Sequence, residues 1–119
     1  MLTILTFTLI LCKLILIQIK KKNELTRKYV VDLSKKAKDN LVKVPGYIKD
    51  KLLVWVDDVE REGIEKVRKI PGFHDEPLKG GRVGQRSIRL SKAYRAIYIE
   101  EPNKEITIIL VIEVNKHDY

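Results

Sequence analysis

The sequence predicts an α+β domain in which a helical hairpin covers one face of a mainly antiparallel sheet of about four strands. Three observations support this prediction: a β-branched and aromatic run near residue 30, two amphipathic segments with helical spacing, and three later runs typical of strands. The chain has 119 residues, of which 45% are hydrophobic and 34% charged. That composition is sufficient for one folded domain with its own core.

The first strand and the first helix meet at Ser34. The run Lys28–Leu33 contains residues typical of strands, and serine is a favoured residue at a helix N-terminus. The segment Lys35–Val44 has apolar residues on one face at helical spacing and lysines on the other. It is therefore predicted to be an amphipathic helix, ended by Pro45 and Gly46.

A second helix is predicted over Tyr47–Glu62, and Gly63 is a natural stop for it. One side of this segment is apolar throughout: Ile48, Leu52, Trp55, Val56 and Val59. Because Trp55 lies on that stripe, we expect it in the core rather than on a surface that stacks nucleic-acid bases.

The middle of the chain is punctuated by glycine and proline. Ile64–Leu78 is predicted to be a connector, and Lys79–Gly84 a turn or flexible loop. Strands are predicted next at Arg86–Leu90 and Tyr94–Ile99, separated by a tight turn.

The last strand is predicted at Ile106–Val114, after a hairpin loop at Glu100–Lys104. Its almost unbroken apolar sequence predicts a central strand buried on both faces. The helical hairpin covers only one face of the sheet. The other face is left partly open, and we expect a ligand to bind there.

The positive charge is concentrated in the C-terminal part of the chain. The net charge is +8, and the stretch between Pro77 and Ile99 contains no carboxylate. It contains six cations: Lys79, Arg82, Arg86, Arg89, Lys92 and Arg95. This clustering predicts a polyanionic partner, such as nucleic acid, an anionic membrane or an acidic protein, and the alternative is a basic protein that is merely soluble. Cys12 is the single cysteine, so an intramolecular disulfide is excluded, and no cysteine and histidine spacing indicates zinc.

The N-terminal segment differs in composition from the rest. Leu2–Ile19 is mostly apolar, is followed by three lysines, and reaches the lower length limit for a membrane span. Three interpretations stay open: a membrane anchor with the domain in the cytoplasm, an extra element packed on the domain, and a translation start further downstream. We therefore separate residues 1–26, an apolar leader with a basic linker, from a domain over residues 27–119.

The C-terminal sequence combines several short motifs: Leu78-Lys-Gly, Gly84-Gln-Arg-Ser-Ile-Arg-Leu, Tyr94-Arg-Ala-Ile-Tyr98 and Glu113-Val-x-x-His-x-Tyr119. In this combination residues 28–119 resemble the RelE/ParE superfamily of toxins from type II toxin–antitoxin modules, most closely the RelE- and HigB-like branches. The resemblance implies a cytoplasmic, ribosome-dependent endoribonuclease that cuts mRNA in the decoding A site. It also implies inhibition by a cognate antitoxin in a heteromeric complex, and no cofactor.

RNA cleavage without a metal needs cations that stabilise the charged phosphorane and groups that move protons. The family position favours Arg86 and Arg95 as the catalytic phosphate grip. Further phosphate contacts are expected from Lys79, Arg82, Arg89 and Lys92. The hypothesis requires guanidinium groups of neighbouring strands to converge with a C-terminal imidazole on the uncovered side of the sheet. A buried pair of Arg95 with a carboxylate such as Glu113 is the alternative.

The candidate proton-transfer groups are His117 and Tyr119, which point to the same side if the tail is extended. A frayed tail in which neither matters is the alternative. His74 is a second possible acid or base, or simply a loop residue. Tyr94 and Tyr98 lie on the strand face opposite Arg95 and are expected to pack against the helices, with stacking on RNA bases as the alternative.

Two other functions fit the same sequence. One is a ParE-like toxin, which inhibits DNA gyrase by binding and has no nuclease chemistry. The other is a membrane-tethered basic binding module, which requires insertion of the apolar leader. The pair of His117 and Tyr119 favours cleavage, because a protein that only binds needs no proton-transfer groups.

Overall fold

The computed structural model describes residues 28–103 and 105–116. Its strands are β1 (Tyr29–Leu33), β2 (Glu76–Pro77), β3 (Arg86–Arg89), β4 (Tyr94–Asn103) and β5 (Ile106–Lys116). Its helices are α1 (Lys35–Lys43), α2 (Gly46–Glu62) and the short α3 (Ile64–Val67), with 3₁₀ turns at Pro71–Phe73 and Gly80–Arg82. The apolar run 2–19 and the candidate residues His117 and Tyr119 lie outside the described residues.

The five strands form one sheet in the order β1-β5-β4-β3-β2. β1 runs parallel to β5, and the other neighbouring pairs are antiparallel. The predicted α+β class is confirmed, with a mixed sheet of five strands. The additional strand is β2, which lies inside the segment expected to be a connector. β2 has only two residues, and one of them, Pro77, has no N–H to donate. A strand this short that contains proline is not recognisable from the sequence pattern.

Ser34 joins the first strand to the first helix as expected. Its hydroxyl oxygen accepts a hydrogen bond from the Ala37 N–H at 3.0 Å, which caps the N-terminus of α1. The same hydroxyl donates to the Ile112 carbonyl oxygen at 2.9 Å. The cap therefore also fastens the start of α1 to β5.

The core lies between the helices and one face of the sheet. Trp55 is fully buried, and its ring centroid lies 5.2 Å from that of Tyr98 on β4. This confirms that Trp55 is a core residue and that Tyr98 packs against the helices. The other fully buried large side chains include Ile48, Leu52, Val59, Ile64, Ile88, Ile109 and Val111.

Two details of the last hairpin differ from the sequence prediction. β4 continues through residues 100–103, which were expected to form a loop. Within β4, the residues that pair with β3 are Arg95–Tyr98. Beyond them, no described strand lies on that side of β4, and a proline such as Pro102 is tolerated at such an edge. β5 has β1 on one side and β4 on the other, which confirms its predicted central position. From Ile108 to Ile112, however, buried side chains alternate with partly buried ones. The prediction that β5 is buried on both faces is therefore wrong.

Among residues 28–103 and 105–116, no helix combines the length and the apolar character needed to cross a membrane.

Gly63, which separates α2 from α3, has a φ of +90°, and a Cβ built on it would lie 2.8 Å from Cε2 of the Tyr29 ring. Gly63→Ala therefore combines backbone strain with a steric overlap against β1. We expect it to lower the free energy of unfolding by about 1–3 kcal/mol, measured by urea denaturation. Gly72→Ala is the matched control, because a Cβ there meets no atom within 4 Å and Gly72 has no positive φ. Equal losses in the two variants would contradict this account.

Candidate nucleic-acid interface

Side-chain alternation separates the two faces of the sheet formed by β3, β4 and β5. Ile88, Ala96 and Val114 belong to the core under the helices. Because successive residues of a strand point to opposite faces, the neighbours of these three residues point away from the helices. We call that second surface the open face.

Two rows of paired residues cross the open face. Strand register aligns Glu76, Ser87, Ile97 and Glu113 in the first row, and Arg89, Arg95 and Asn115 in the second. Arg89 and Arg95 therefore face each other on neighbouring strands. Like charges directly opposite each other destabilise a sheet. The arrangement thus favours an anion near this pair.

Arg95 donates hydrogen bonds to two residues of the first row, Ser87 and Glu76. Its Nη1 donates to the Ser87 hydroxyl oxygen at 2.8 Å and to Oε1 of Glu76 at 2.8 Å. The Arg95 side chain is only 15% exposed, whereas that of Glu76 is 58% exposed. A fixed guanidinium thus lies beside a carboxylate that solvent can reach. The expected alternative partner, Glu113, bonds to other cations.

Glu113 is a buried carboxylate at the far end of the same row. Nη2 of Arg82 donates to its Oε1 at 2.5 Å, and Nζ of Lys36 donates to the same oxygen at 3.3 Å. The side-chain amide of Asn115 donates to Oε2. Burial by itself raises the pKa of Glu113, but the hydrogen bonds from Arg82, Asn115 and Lys36 outweigh it, and the pKa lies below its ordinary value.

Beside this carboxylate, the open face has a pocket of ≈ 430 Å³. Its lining is formed by Glu76, Leu78, Arg82, Ser87, Arg95, Ile97, Asn115 and Lys116. The lining combines three cations with one reachable carboxylate and two aliphatic side chains. Such a surface offers donors to a phosphate and an apolar contact to an adjoining ring.

Arg86 does not join this pocket, and the expectation that Arg86 and Arg95 converge on one face is wrong. Arg86 pairs across the strands with Tyr98 and Pro77, so its side chain lies on the helix-covered face. There its Nε donates to Oδ1 of Asp75 at 2.6 Å. The side chain of Asp75 is 1% exposed, so this is a largely buried ion pair. Alternation explains the result, because Arg86 has the parity of Ile88.

The other predicted residues are distributed unevenly. Arg82 and Arg95 line the pocket, and Arg89 lies beside Arg95 on the open face. Within the described part of the chain, the buried Nε of Arg89 has no hydrogen-bond partner. Lys79 and Lys92 are exposed and are not part of the lining.

His74 is exposed at the end of a 3₁₀ turn, with a φ of 43°, and does not line the pocket either. His117 and Tyr119 fall beyond Lys116, the last described residue, which does line it.

Sequence reasoning missed Glu76 as a pocket residue. Its neighbour Pro77 marked the region as a connector, so Glu76 was not placed on a strand. The sequence did contain one usable signal. If Asp75 and Glu76 are assumed to be extended, their side chains point to opposite faces of the sheet, so one carboxylate lies on each face. Residues 28–103 and 105–116 contain no group of three potential ligands that is arranged to hold a metal ion.

The fold is similar to that of several solved toxin structures. They include the toxin–antitoxin complex RelBE2 from Mycobacterium tuberculosis, at 22% identity and a TM-score of 0.56, covering 76% of this chain and 99% of that chain. The YoeB/ParE toxin from Agrobacterium tumefaciens has 18% identity and a TM-score of 0.56, covering 75% and 99% of the two chains. The DinJ–YafQ toxin–antitoxin complex from E. coli has 13% identity and a TM-score of 0.57, covering 76% and 93%.

These likenesses confirm the RelE-like fold that the sequence motifs indicated. No protein-family profile matches the chain, and a search of curated proteins finds no relative.

Removing the Arg82 guanidinium, which bonds to Glu113, should lower the stability of the protein by an amount that depends on pH. In Arg82→Gln we expect the pKa of Glu113 to rise and the protein to lose stability near neutral pH. A carboxylate whose pKa is depressed in the folded state adds stability above its unfolded pKa and loses it as the pH falls through the folded pKa. The stability advantage of the parent over Arg82→Gln should therefore shrink towards zero in acid, as measured by urea denaturation at several pH values.

Lys79→Gln removes an exposed cation from the same region of the chain and serves as the control. It should change stability little at any pH. A difference between the parent and Arg82→Gln that stays constant from neutral to acid pH would rule out the proposed coupling to Glu113.

Proposed function

We propose that this chain is the toxin of a type II toxin–antitoxin module and a ribosome-dependent mRNA endoribonuclease. The observation that carries the proposal is the open-face pocket, in which the fixed Arg95 guanidinium lies beside the reachable Glu76 carboxylate. The RelE-like fold supports the toxin assignment, because the similar solved structures are toxins. The predicted polyanionic partner is then mRNA in the ribosomal A site.

The arginines of the pocket supply what a scissile phosphate needs. Arginine stays protonated and presents a planar fork that pairs with two phosphate oxygens. Arg95 is held by Ser87 and is little exposed, so little reorganisation is needed when negative charge develops on the phosphorane. Arg82 lines the same pocket, and Arg89 lies beside Arg95. We assign Arg95 to the transition-state charge and the other two to binding.

Among the described residues, Glu76 is the one best placed to accept a proton. In metal-independent cleavage the ribose 2′-oxygen bonds to phosphorus, and the bond from phosphorus to the 5′-oxygen breaks. Glu76 takes the 2′-hydroxyl proton as general base, and a general acid protonates the departing 5′-oxygen. The products are a 2′,3′-cyclic phosphate and a 5′-hydroxyl.

We propose His117 as the acid, because Lys116 lines the pocket and an imidazole titrates near neutral pH. We propose Tyr119 as an additional contact to the RNA.

A cognate antitoxin is the proposed partner of the free toxin. RelBE2 and DinJ–YafQ are toxin–antitoxin complexes, which supports a heteromeric complex here as well. We propose a cytoplasmic location for the domain, since its substrate is translated mRNA. Fractionation of cells that express the chain with and without residues 1–26 tests this location against a membrane anchor.

A ParE-like inhibitor of DNA gyrase is the second candidate. It is favoured by the likeness to the YoeB/ParE toxin and by the carboxylates that partly neutralise the open-face arginines. The two candidates differ in outcome. The nuclease produces codon-phased cuts in an abundant transcript, detected by primer extension after induced expression. The gyrase inhibitor produces DNA damage signalling and leaves transcripts uncut.

Two substitutions in the pocket test the proposal. Arg95→Gln and Glu76→Gln should each lower mRNA cleavage on the order of a hundredfold and relieve growth arrest. Arg61→Gln is the matched control, since Arg61 is an exposed arginine of α2 whose partners among the described residues are nearby carboxylates of the same helix. It should cleave as the parent does. Full cleavage by both pocket variants would remove the proposed site.

His117→Ala tests the proposed acid separately. We expect it to relieve growth arrest without lowering the thermal unfolding midpoint, because the proposal gives His117 a role in proton transfer and none in the core. Retained toxicity would move the general acid elsewhere.

A further inference from the structure

A buried polar cluster lies on the helix-covered face directly behind the pocket. Its centre is the carboxylate of Asp75, which is 1% exposed. The Tyr98 hydroxyl donates to Oδ2 at 2.5 Å, and Nε of Arg86 donates to Oδ1 at 2.6 Å. Nε of Arg68 lies 3.9 Å from Oδ1 and 3.4 Å from the Tyr98 hydroxyl oxygen. We call these four residues the Asp75 cluster.

The Asp75 cluster links the segment after α3 to three neighbouring strands of the sheet. Arg68 follows α3, Arg86 begins β3, and Tyr98 is in the middle of β4. All three contact the residue that immediately precedes β2. Burying a carboxylate is costly unless charged and hydrogen-bonding partners surround it. Those partners therefore fix the position of Asp75 strongly.

Apart from this cluster, β2 is held by its short pairing with β3 and by the bond between Glu76 and Arg95. It consists of two exposed residues, and Pro77 has no N–H to give to the ladder with β3. Nearby, the Leu78 N–H donates to the Gln85 carbonyl oxygen at 2.9 Å. Glu76 lies between these anchors, one residue after Asp75, and points to the opposite face of the sheet.

We propose that the Asp75 cluster positions Glu76 for catalysis, with Tyr98 and Arg86 acting as positioning residues from the far side of the sheet. This inference rests on the proposed function of the pocket. Since adjacent strand residues point to opposite faces, fixing the Asp75 side chain under the helices fixes the direction of Glu76 towards Arg95. Arg86 thereby influences RNA cleavage without touching the RNA.

The Tyr98 hydroxyl suits this role because it remains a donor. Burial of Tyr98 and its hydrogen bond to Asp75 both raise its pKa above the ordinary value, although Arg68 opposes the shift. The hydroxyl therefore stays protonated over the physiological range. The ring packs against Trp55 independently of the hydroxyl, so Tyr98→Phe removes the donor and keeps the apolar contact.

The test compares Tyr98→Phe with Tyr94→Phe, the same chemical change at a residue of β4 that also packs against the core. With programmed ribosomes and an mRNA codon in the A site, Tyr98→Phe should lower kcat about tenfold and change KM less than twofold. Tyr94→Phe should match the parent. In a Glu76→Gln background, Tyr98→Phe should cause no further loss, because both changes act through one group. If Tyr98→Phe lowers kcat by the same factor in the Glu76→Gln background as in the parent, the proposal is overturned.

A second measurement does not depend on cleavage. Amide hydrogen exchange of Leu78 should become about tenfold faster in Tyr98→Phe and in Arg86→Gln, while the amide of Ile109 in β5 keeps its protection. Unchanged exchange at Leu78 in both variants would overturn the anchoring role. If the parent cuts no mRNA, the proposed function fails, and the exchange result still decides whether the cluster holds β2.

Arg86→Gln also separates positioning from phosphate contact. Loss of kcat with faster Leu78 exchange supports the anchor. A raised KM with normal Leu78 exchange would mean that Arg86 touches the RNA, and would overturn the proposal.

Discussion

Tyr98 packs its ring against Trp55 under the helices, while Arg95, three residues earlier on the same strand, lies on the open face. This alternation along β4 determines the positions of the other functional groups. Every core side chain that β3, β4 and β5 place under the helices leaves a neighbour on the open face. The pocket is therefore a direct consequence of how the core is packed. Arg82 reaches it from a 3₁₀ turn, whereas Arg95 is mounted on β4, an interior strand of the sheet. Sites on such elements hold their geometry more closely than sites on loops.

The open face is less positive than the net charge suggests. Arg95 is bonded to Glu76, and Arg82 and Lys36 are bonded to Glu113. A phosphate that enters the pocket must compete with these carboxylates, and this competition lowers the affinity of the pocket for RNA that is free in solution. If the ribosome holds one phosphate of the mRNA at a fixed place in the pocket, the effective concentration of that phosphate rises and offsets the competition. Dependence on the ribosome, which the proposed function includes, is consistent with a pocket of this kind.

Much of the fold follows from local sequence, whereas the site depends on pairings between distant strands. Ser34, the apolar stripe with Trp55, and Gly63 mark the elements directly, because caps, helical spacing and glycine stops are local effects. The parity of Arg86 with Ile88 was visible in the sequence, yet the family position led to its assignment as a phosphate contact. Nothing local indicates that Asp75 enters the core or that Glu76 meets Arg95. A register shift between β4 and β5 near Tyr98 also depends on tertiary packing and is invisible in the sequence.

In the proposed mechanism, the open-face pocket promotes attack of the RNA's own 2′-hydroxyl on the adjacent phosphate. The most direct measurement compares two transcripts on programmed ribosomes with the purified chain, one unmodified and one carrying a 2′-O-methyl group at the cut position in the A-site codon. We expect cleavage of the unmodified transcript, with a 2′,3′-cyclic phosphate and a 5′-hydroxyl at the new ends, and no cleavage of the methylated one. Equal cleavage of both transcripts, or no cleavage of either, would rule out this mechanism.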